Sequence, residues 1–162
     1  MRFLFEDEGV LTELDEDQNI VRKTVKTGNH QLTGYHSAAD LVSREIEVLK
    51  RGKNIVGLPR FIDRVDDCCF DMSYCEGVSL RESRLINQEQ IDRLREIYNS
   101  LQSLGIFRVG HSQDDFLLTD ESISMIDFGN VIFAEEGAFR CSLVKLWTKV
   151  RLFDLERRFL EI

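Results

Sequence analysis

Residues 2–26 alternate apolar and polar positions at the two-residue period of a half-buried strand. The alternation predicts strands over 2–5, 10–14 and 20–25, with turns at Asp7-Glu8-Gly9 and at residues 15–19. These form an antiparallel meander. Residues 27–36, rich in Gly, Asn and Thr, predict a loop. Ser37 with Asp40 three positions on is a capping-box start, and Leu41, Ile46, Val48 and Leu49 follow at roughly helical spacing until Gly52. Two further strands are expected over 55–62 and 68–74, around a turn at Asp66-Asp67. The first half therefore predicts five antiparallel strands and one helix. Residues 75–77 break the pattern as a connector, and Ser79-Leu80 begins a short helix or turn. Asn87 caps a long helix over 88–104, with Gln90 completing the box, Ile91, Leu94, Ile97, Tyr98, Leu101 and Leu104 on one face, and Gly105 closing it. A hairpin follows, with strands at 116–118 and 123–126 around residues 119–122. Residues 140–160 predict a final amphipathic helix or pair, with an apolar face of Leu143, Leu146, Trp147, Val150, Phe153, Leu155 and Phe159. Its basic residues (Lys145, Lys149, Arg151, Arg157 and Arg158) read as a solvated face.

The hairpin carries the chemistry. Asp114-Asp115 runs into its first strand, and Asp127 leaves its second just before Gly129. A carboxylate at a strand end beside a glycine can present a hard oxygen ligand to a metal–phosphate complex. Lys23 shares a strand face with Val21 and Val25. Two arrangements are open: Lys23 inward, which needs an anionic partner, or Arg22 and Thr24 inward, with Lys23 solvated. Glu45 lies mid-helix beside Ile46, whereas Glu47 reads as the solvated carboxylate. A Lys23–Glu45 pair would attract by roughly 4 kcal/mol at about 4 Å and an effective dielectric near 20, before desolvation is subtracted.

Composition narrows the classes. A chain of 162 residues, 43% apolar, makes one domain, or one compact body with two small lobes, with a real core. A net charge of −8 argues against broad nucleic-acid binding and against an anionic membrane surface. The acidic residues after position 5 argue against a signal peptide, and no run of about 18 apolar residues predicts a membrane span. Cys68, Cys69, Cys75 and Cys141 lack metal-ligand spacing and read as reduced thiols of a cytoplasmic protein, with the adjacent pair on opposite strand faces. His111 reads as a capping or hydrogen-bonding residue, with a base as the other role. His30 and His36 read as solvated.

The order of these features resembles the protein-kinase-like superfamily over residues 1 to about 133: a lysine on the third strand, a glutamate on the next helix, Met72-Ser73-Tyr74-Cys75-Glu76-Gly77 entering a connector, a long helix, then Asp114-Asp115-Phe116-Leu117-Leu118 and Ile126-Asp127-Phe128-Gly129. Within it, the chain looks most like small bacterial lipopolysaccharide-kinase and RIO-like proteins. The resemblance implies an α+β, minimal bilobal fold. Residues 1–74 would be a five-stranded N-lobe with one helix, 75–78 the hinge, and 79–162 a reduced helical C-lobe. It implies that Lys23 binds nucleotide phosphates and pairs with Glu45, and that Met72 is the gatekeeper. Ser73 to Cys75 would meet adenine, and Asp115 and Asp127 would hold Mg2+.

The departures from the family pattern are specific. Counting back from Phe116, Arg108-Val109-Gly110 stands where the catalytic loop carries His-x-Asp, or with a shorter loop His111-Ser112-Gln113 does; in either register the aspartate that serves as general base is missing. That loss is worth on the order of 10²–10⁴ in rate, or about 3–5 kcal/mol. Asp114 is the neighbouring carboxylate that could stand in. The glycine-rich phosphate loop is replaced by Glu6-Asp7-Glu8-Gly9, and 33 residues follow Gly129, which leaves little room for a peptide platform. The expected function is an Mg-ATP-dependent phosphotransferase, an atypical kinase acting on a protein or sugar hydroxyl. The alternative is a pseudokinase-like regulatory module that binds nucleotide or a protein partner without transfer. An unrelated α+β interaction domain is the third reading.

Overall fold

The computed structural model describes residues 2–6, 9–31, 34–83, 85–110 and 112–159. Asp7, Glu8 and His111, on which the acidic-loop and histidine readings rest, lie outside the described residues. The architecture is α+β with antiparallel sheets and, among the described residues, four α-helices.

Strands β1 (Arg2–Glu6), β2 (Val10–Asp15) and β3 (Ile20–Val25) are followed by a small hairpin, β4 (Asn29–Gln31) and β5 (Gly34–His36). The hairpin occupies the stretch expected to be loop. Helix α1 (Ala38–Arg51) begins with the expected capping box: the Asp40 N–H donates to the Ser37 hydroxyl, and the Ser37 N–H to the Asp40 carboxylate. Strands β6 (Phe61–Arg64) and β7 (Cys69–Ser73) complete a five-stranded antiparallel sheet in the order β1-β2-β3-β7-β6. Lys23 lies opposite Phe70 of β7, so β3 is an interior strand. Helix α1 covers the sheet with Leu41, Val42, Ile46, Val48 and Leu49, all buried.

The strand expected over 55–62 begins only at Phe61. Gly57 and Pro59 explain the delay. Gly57 has φ +95°, which side chains rarely adopt, and a Cβ there would lie 2.9 Å from the Ile123 carbonyl. Proline brings no N–H to a ladder. The Gly57 carbonyl is instead committed to the later hairpin, accepting from the Met125 N–H at 2.8 Å.

A two-residue strand, β8 (Val78–Ser79), leads into α2 (Leu80–Ser83) and α3 (Gln88–Ser103). The second expected capping box is present between Asn87 and Gln90. Then come β9 (Ile106–Arg108), β10 (Phe116–Leu118), β11 (Ile123–Met125), β12 (Val131–Phe133) and α4 (Ala138–Phe159). β10 and β11 pair as the expected hairpin, Phe116 opposite Met125 and Leu118 opposite Ile123. β9 pairs with β12, a pairing the sequence did not suggest. One apolar core runs without a break from Val21, Leu49 and Phe70 to Leu94, Phe116 and Phe128. The sheet and the later helices thus share an interior.

Helix α4 corrects an expectation. Leu143, Leu146, Trp147, Val150 and Phe153 are 47–65% exposed, and Phe139 is 76% exposed. The buried side is Cys141, Val144 and Thr148. The helix is apolar on two opposite sides, and the smaller residues pack, because they let α4 approach β9 and β12 around Phe107 and Ile132. All four cysteines are free. Cys69 is buried in β7 and Cys68 is half-buried just before it.

Candidate functional site

The candidate site grows from the alternation of β3. Val21, Lys23 and Val25 are buried, while Ile20, Arg22 and Thr24 are only partly so. Of the two arrangements open in the sequence, the lysine faces inward. Arg22, on the other face, makes a bidentate pair with Asp71 at 2.8 Å on both bonds. A buried ammonium needs anions, and two reach it. Its Nζ donates to both Glu45 oxygens at 2.9 Å and to Asp127 Oδ1 at 2.8 Å. Glu45 projects from the middle of α1 and is 1% exposed, whereas Glu47 pairs with Arg51 at the surface. The Phe128 N–H also donates to Glu45, at 3.3 Å. Asp127 arrives from the end of the hairpin, 104 residues along the chain from Lys23. Its side chain is 48% exposed.

The charges act on one another. Burial alone would lower the Lys23 pKa, but Asp127 and Glu45 outweigh it and hold the ammonium protonated well above its usual range. Lys23 in turn holds Asp127 well below the usual carboxylate range. Burial pushes Glu45 upward against the pull of the same lysine. One cation therefore serves two carboxylates of different character: one sealed, one open to solvent.

Arg108, not recognised in the sequence as a site residue, extends the cluster. It ends β9, is 4% exposed, and pairs through Nη2 with Asp115 Oδ2 at 2.7 Å. The same Asp115 oxygen accepts from the Ser112 N–H at 2.6 Å. The guanidinium lies 5.6 Å from the Phe116 ring centroid and 5.7 Å from that of Phe128. It bonds the Tyr98 hydroxyl, whose pKa is raised by burial. Its Nη1 is buried and has no hydrogen-bond partner among the described residues. Burial also pushes Asp115 upward, with Arg108 opposing. The available signal was an arginine directly after Ile106-Phe107, where an inward position needs a reason.

The remaining expected residues are spread around this centre. Asp114, expected as the catalytic carboxylate, turns to α2, where Arg81 meets it at 2.9 Å and 2.7 Å. Met72 is buried in the core beside β3, opposite Val21. The Ser73 hydroxyl accepts from the Arg60 N–H at 2.8 Å. Cys75 is half-buried and hydrogen-bonded to the Ser124 side chain; burial raises its thiol. Gln31 of the β4–β5 hairpin donates to the Gly129 carbonyl, placing that hairpin against the segment after Asp127. A groove of about 740 Å³ opens beside the connector, lined by Tyr74, Glu76, Val78, Asn87 and Leu118 among others. None of Lys23, Glu45, Asp115 or Asp127 lines it. Lys23 and Glu45 are sealed, and the cluster meets solvent through Asp127.

Lys23 and Arg108 against Glu45, Asp115 and Asp127 leave the cluster one negative charge in excess. That charge and a half-exposed, ionised Asp127 suit one hard cation. No group of three or more His, Cys, Asp or Glu side chains is arranged to hold a metal among the described residues. A magnesium ion would therefore need phosphate oxygens to complete its shell, which is how that ion commonly binds. No family model matches the chain, and a comparison with curated proteins finds no match either. No helix among the described residues is long and apolar enough to cross a membrane.

Proposed function

We propose that this chain is a minimal, bilobal protein-kinase-like domain that binds Mg-ATP and transfers its γ-phosphoryl group to a protein or sugar hydroxyl. The observation that carries the reading is the convergence at Lys23. A cation from the sheet, a carboxylate from α1 and a carboxylate from the hairpin end meet within 2.9 Å. The resemblance implies this set, in this order, from residues up to 104 positions apart. In the proposed reaction Lys23 draws the phosphates in, Glu45 keeps the ammonium aimed, and Asp127 holds magnesium with Asp115 as the expected second ligand. The acceptor oxygen forms a bond to the γ-phosphorus as the bond to the β-γ bridging oxygen breaks. ADP leaves, and the hydroxyl proton passes to Asp114 or to water. Such transfer depends mainly on positioning and charge neutralisation, so a displaced base slows it without forbidding it.

A second reading, nucleotide binding without transfer, is favoured by one observation: Asp114 is engaged by Arg81 rather than by the cluster. The test is thermal denaturation with Mg-ATP, in the parent and in Asp127→Asn, beside an assay for ADP release. Stabilisation by Mg-ATP that is lost in Asp127→Asn supports the binding site. ADP release that is lost with it supports transfer. Stabilisation without ADP release across a panel of hydroxyl acceptors selects the second reading. No stabilisation by Mg-ATP refutes both.

A further inference from the structure

Arg108 is, like Glu45, almost sealed from solvent, but it carries a permanent positive charge. It is 4% exposed and sits 5.6–5.7 Å from the centroids of two aromatic rings. A guanidinium stays charged under all ordinary conditions. Lys23, by contrast, ends in a flexible stem that can swing from Asp127 to a phosphate. Kinase sites usually hold two magnesium ions, the second on a catalytic-loop ligand, and the residue in that place here is Asp115. Its Oδ2 is already taken at 2.7 Å by Arg108 and at 2.6 Å by the Ser112 N–H.

We propose that Arg108 is a built-in cation that stands in for one of the two metal ions, so that the site binds nucleotide with a single divalent ion at Asp127. The proposal rests on the nucleotide-binding reading above and revises the part given there to Asp115. The ion pair itself carries the proposal: the Asp115 oxygen at 2.7 Å from Arg108 already faces a fixed positive charge, where a second ion would have to bind. The fixed guanidinium also carries a buried nitrogen with no hydrogen-bond partner, Nη1, that a phosphate oxygen or its water can satisfy. Arg108 is in this sense a positioning residue: it fixes Asp115 and sets the metal count.

The test is to count Mn2+ bound with a non-hydrolysable ATP analogue, by electron paramagnetic resonance and equilibrium dialysis. The parent chain should bind one Mn2+ per nucleotide, with no Mn–Mn spin coupling. Arg108→Gln should release Asp115 and admit a second Mn2+, while Arg108→Lys should keep the count at one. Two coupled Mn2+ ions in the parent overturn the proposal while leaving nucleotide binding intact. A count that stays at one in a folded Arg108→Gln removes Arg108 from its role. If Arg108→Gln does not fold, the parent count and Arg108→Lys decide. No analogue binding at any Mn2+ concentration overturns the nucleotide reading, and this inference with it.

Discussion

Replacing Lys23 by Met keeps an apolar stem of similar length and deletes only the charge. The lysine is 7% exposed and Glu45 is 1% exposed, so water cannot take over the ammonium's work. Glu45 would keep one hydrogen bond, from the Phe128 N–H at 3.3 Å, and would face Asp127 with no cation between them. Removing one partner of a buried pair costs about 3–5 kcal/mol, a large part of a total stability of about 5–15 kcal/mol. For a chain of this length each kcal/mol lowers Tm by about 2–4 °C, so a fall of about 6–20 °C is expected at pH 7. The pH dependence is the sharper test. In the parent, Asp127 is held below its unfolded pKa, so its contribution is fully present above about pH 4 and fades as pH falls through the folded value. In Lys23→Met that contribution shrinks to what Arg108 and the Gly129 N–H supply, and Glu45, already raised by burial in the parent, loses the lysine that opposed the shift and takes a proton in the folded state. A raised carboxylate makes stability fall as pH rises from its unfolded pKa through its folded one. Chemical denaturation between pH 4 and pH 8 should therefore show the variant losing stability towards neutral pH, relative to the parent. A cost under about 1 kcal/mol at pH 7 with an unchanged pH profile would refute the claim that the Lys23 triad organises this interior.

Two further outcomes test the packing around the site. Gly57→Ala should cost about 1–3 kcal/mol, read by urea denaturation, since a positive φ and a Cβ 2.9 Å from the Ile123 carbonyl must both be accommodated. The two apolar sides of α4 should respond oppositely to polar substitution. Leu146→Ser, on the exposed side, should stay within about 0.5 kcal/mol of the parent, and Val144→Ser, buried against Phe107 and Ile132, should lose about 2 kcal/mol or more. Equal losses at the two positions would mean that α4 packs through both sides.

What lies within one element was readable from the chain. Ser37 with Asp40 and Asn87 with Gln90 start their helices as their spacing implied, because a capping box needs only residues three apart. The β10–β11 hairpin closes over residues 119–122, a local turn between two short apolar runs. The alternation of β3 put Lys23 on the same face as Val21 and Val25, but it could not say which face was inside. Tertiary structure decided that, by bringing α1 and the hairpin end against one side and so supplying Glu45 and Asp127 as partners. It likewise stopped the sixth strand short of residues 55–60, because the Gly57 carbonyl serves a strand about 70 residues later. It buried Arg108, whose partners Asp115, Tyr98 and Phe128 come from three other segments. It also chose the packed side of α4, since a helix apolar on two sides carries no internal instruction about which one to bury. Short-range rules set the two helix starts and the hairpin turn; the burial of a charge depends on neighbours that only the folded chain assembles.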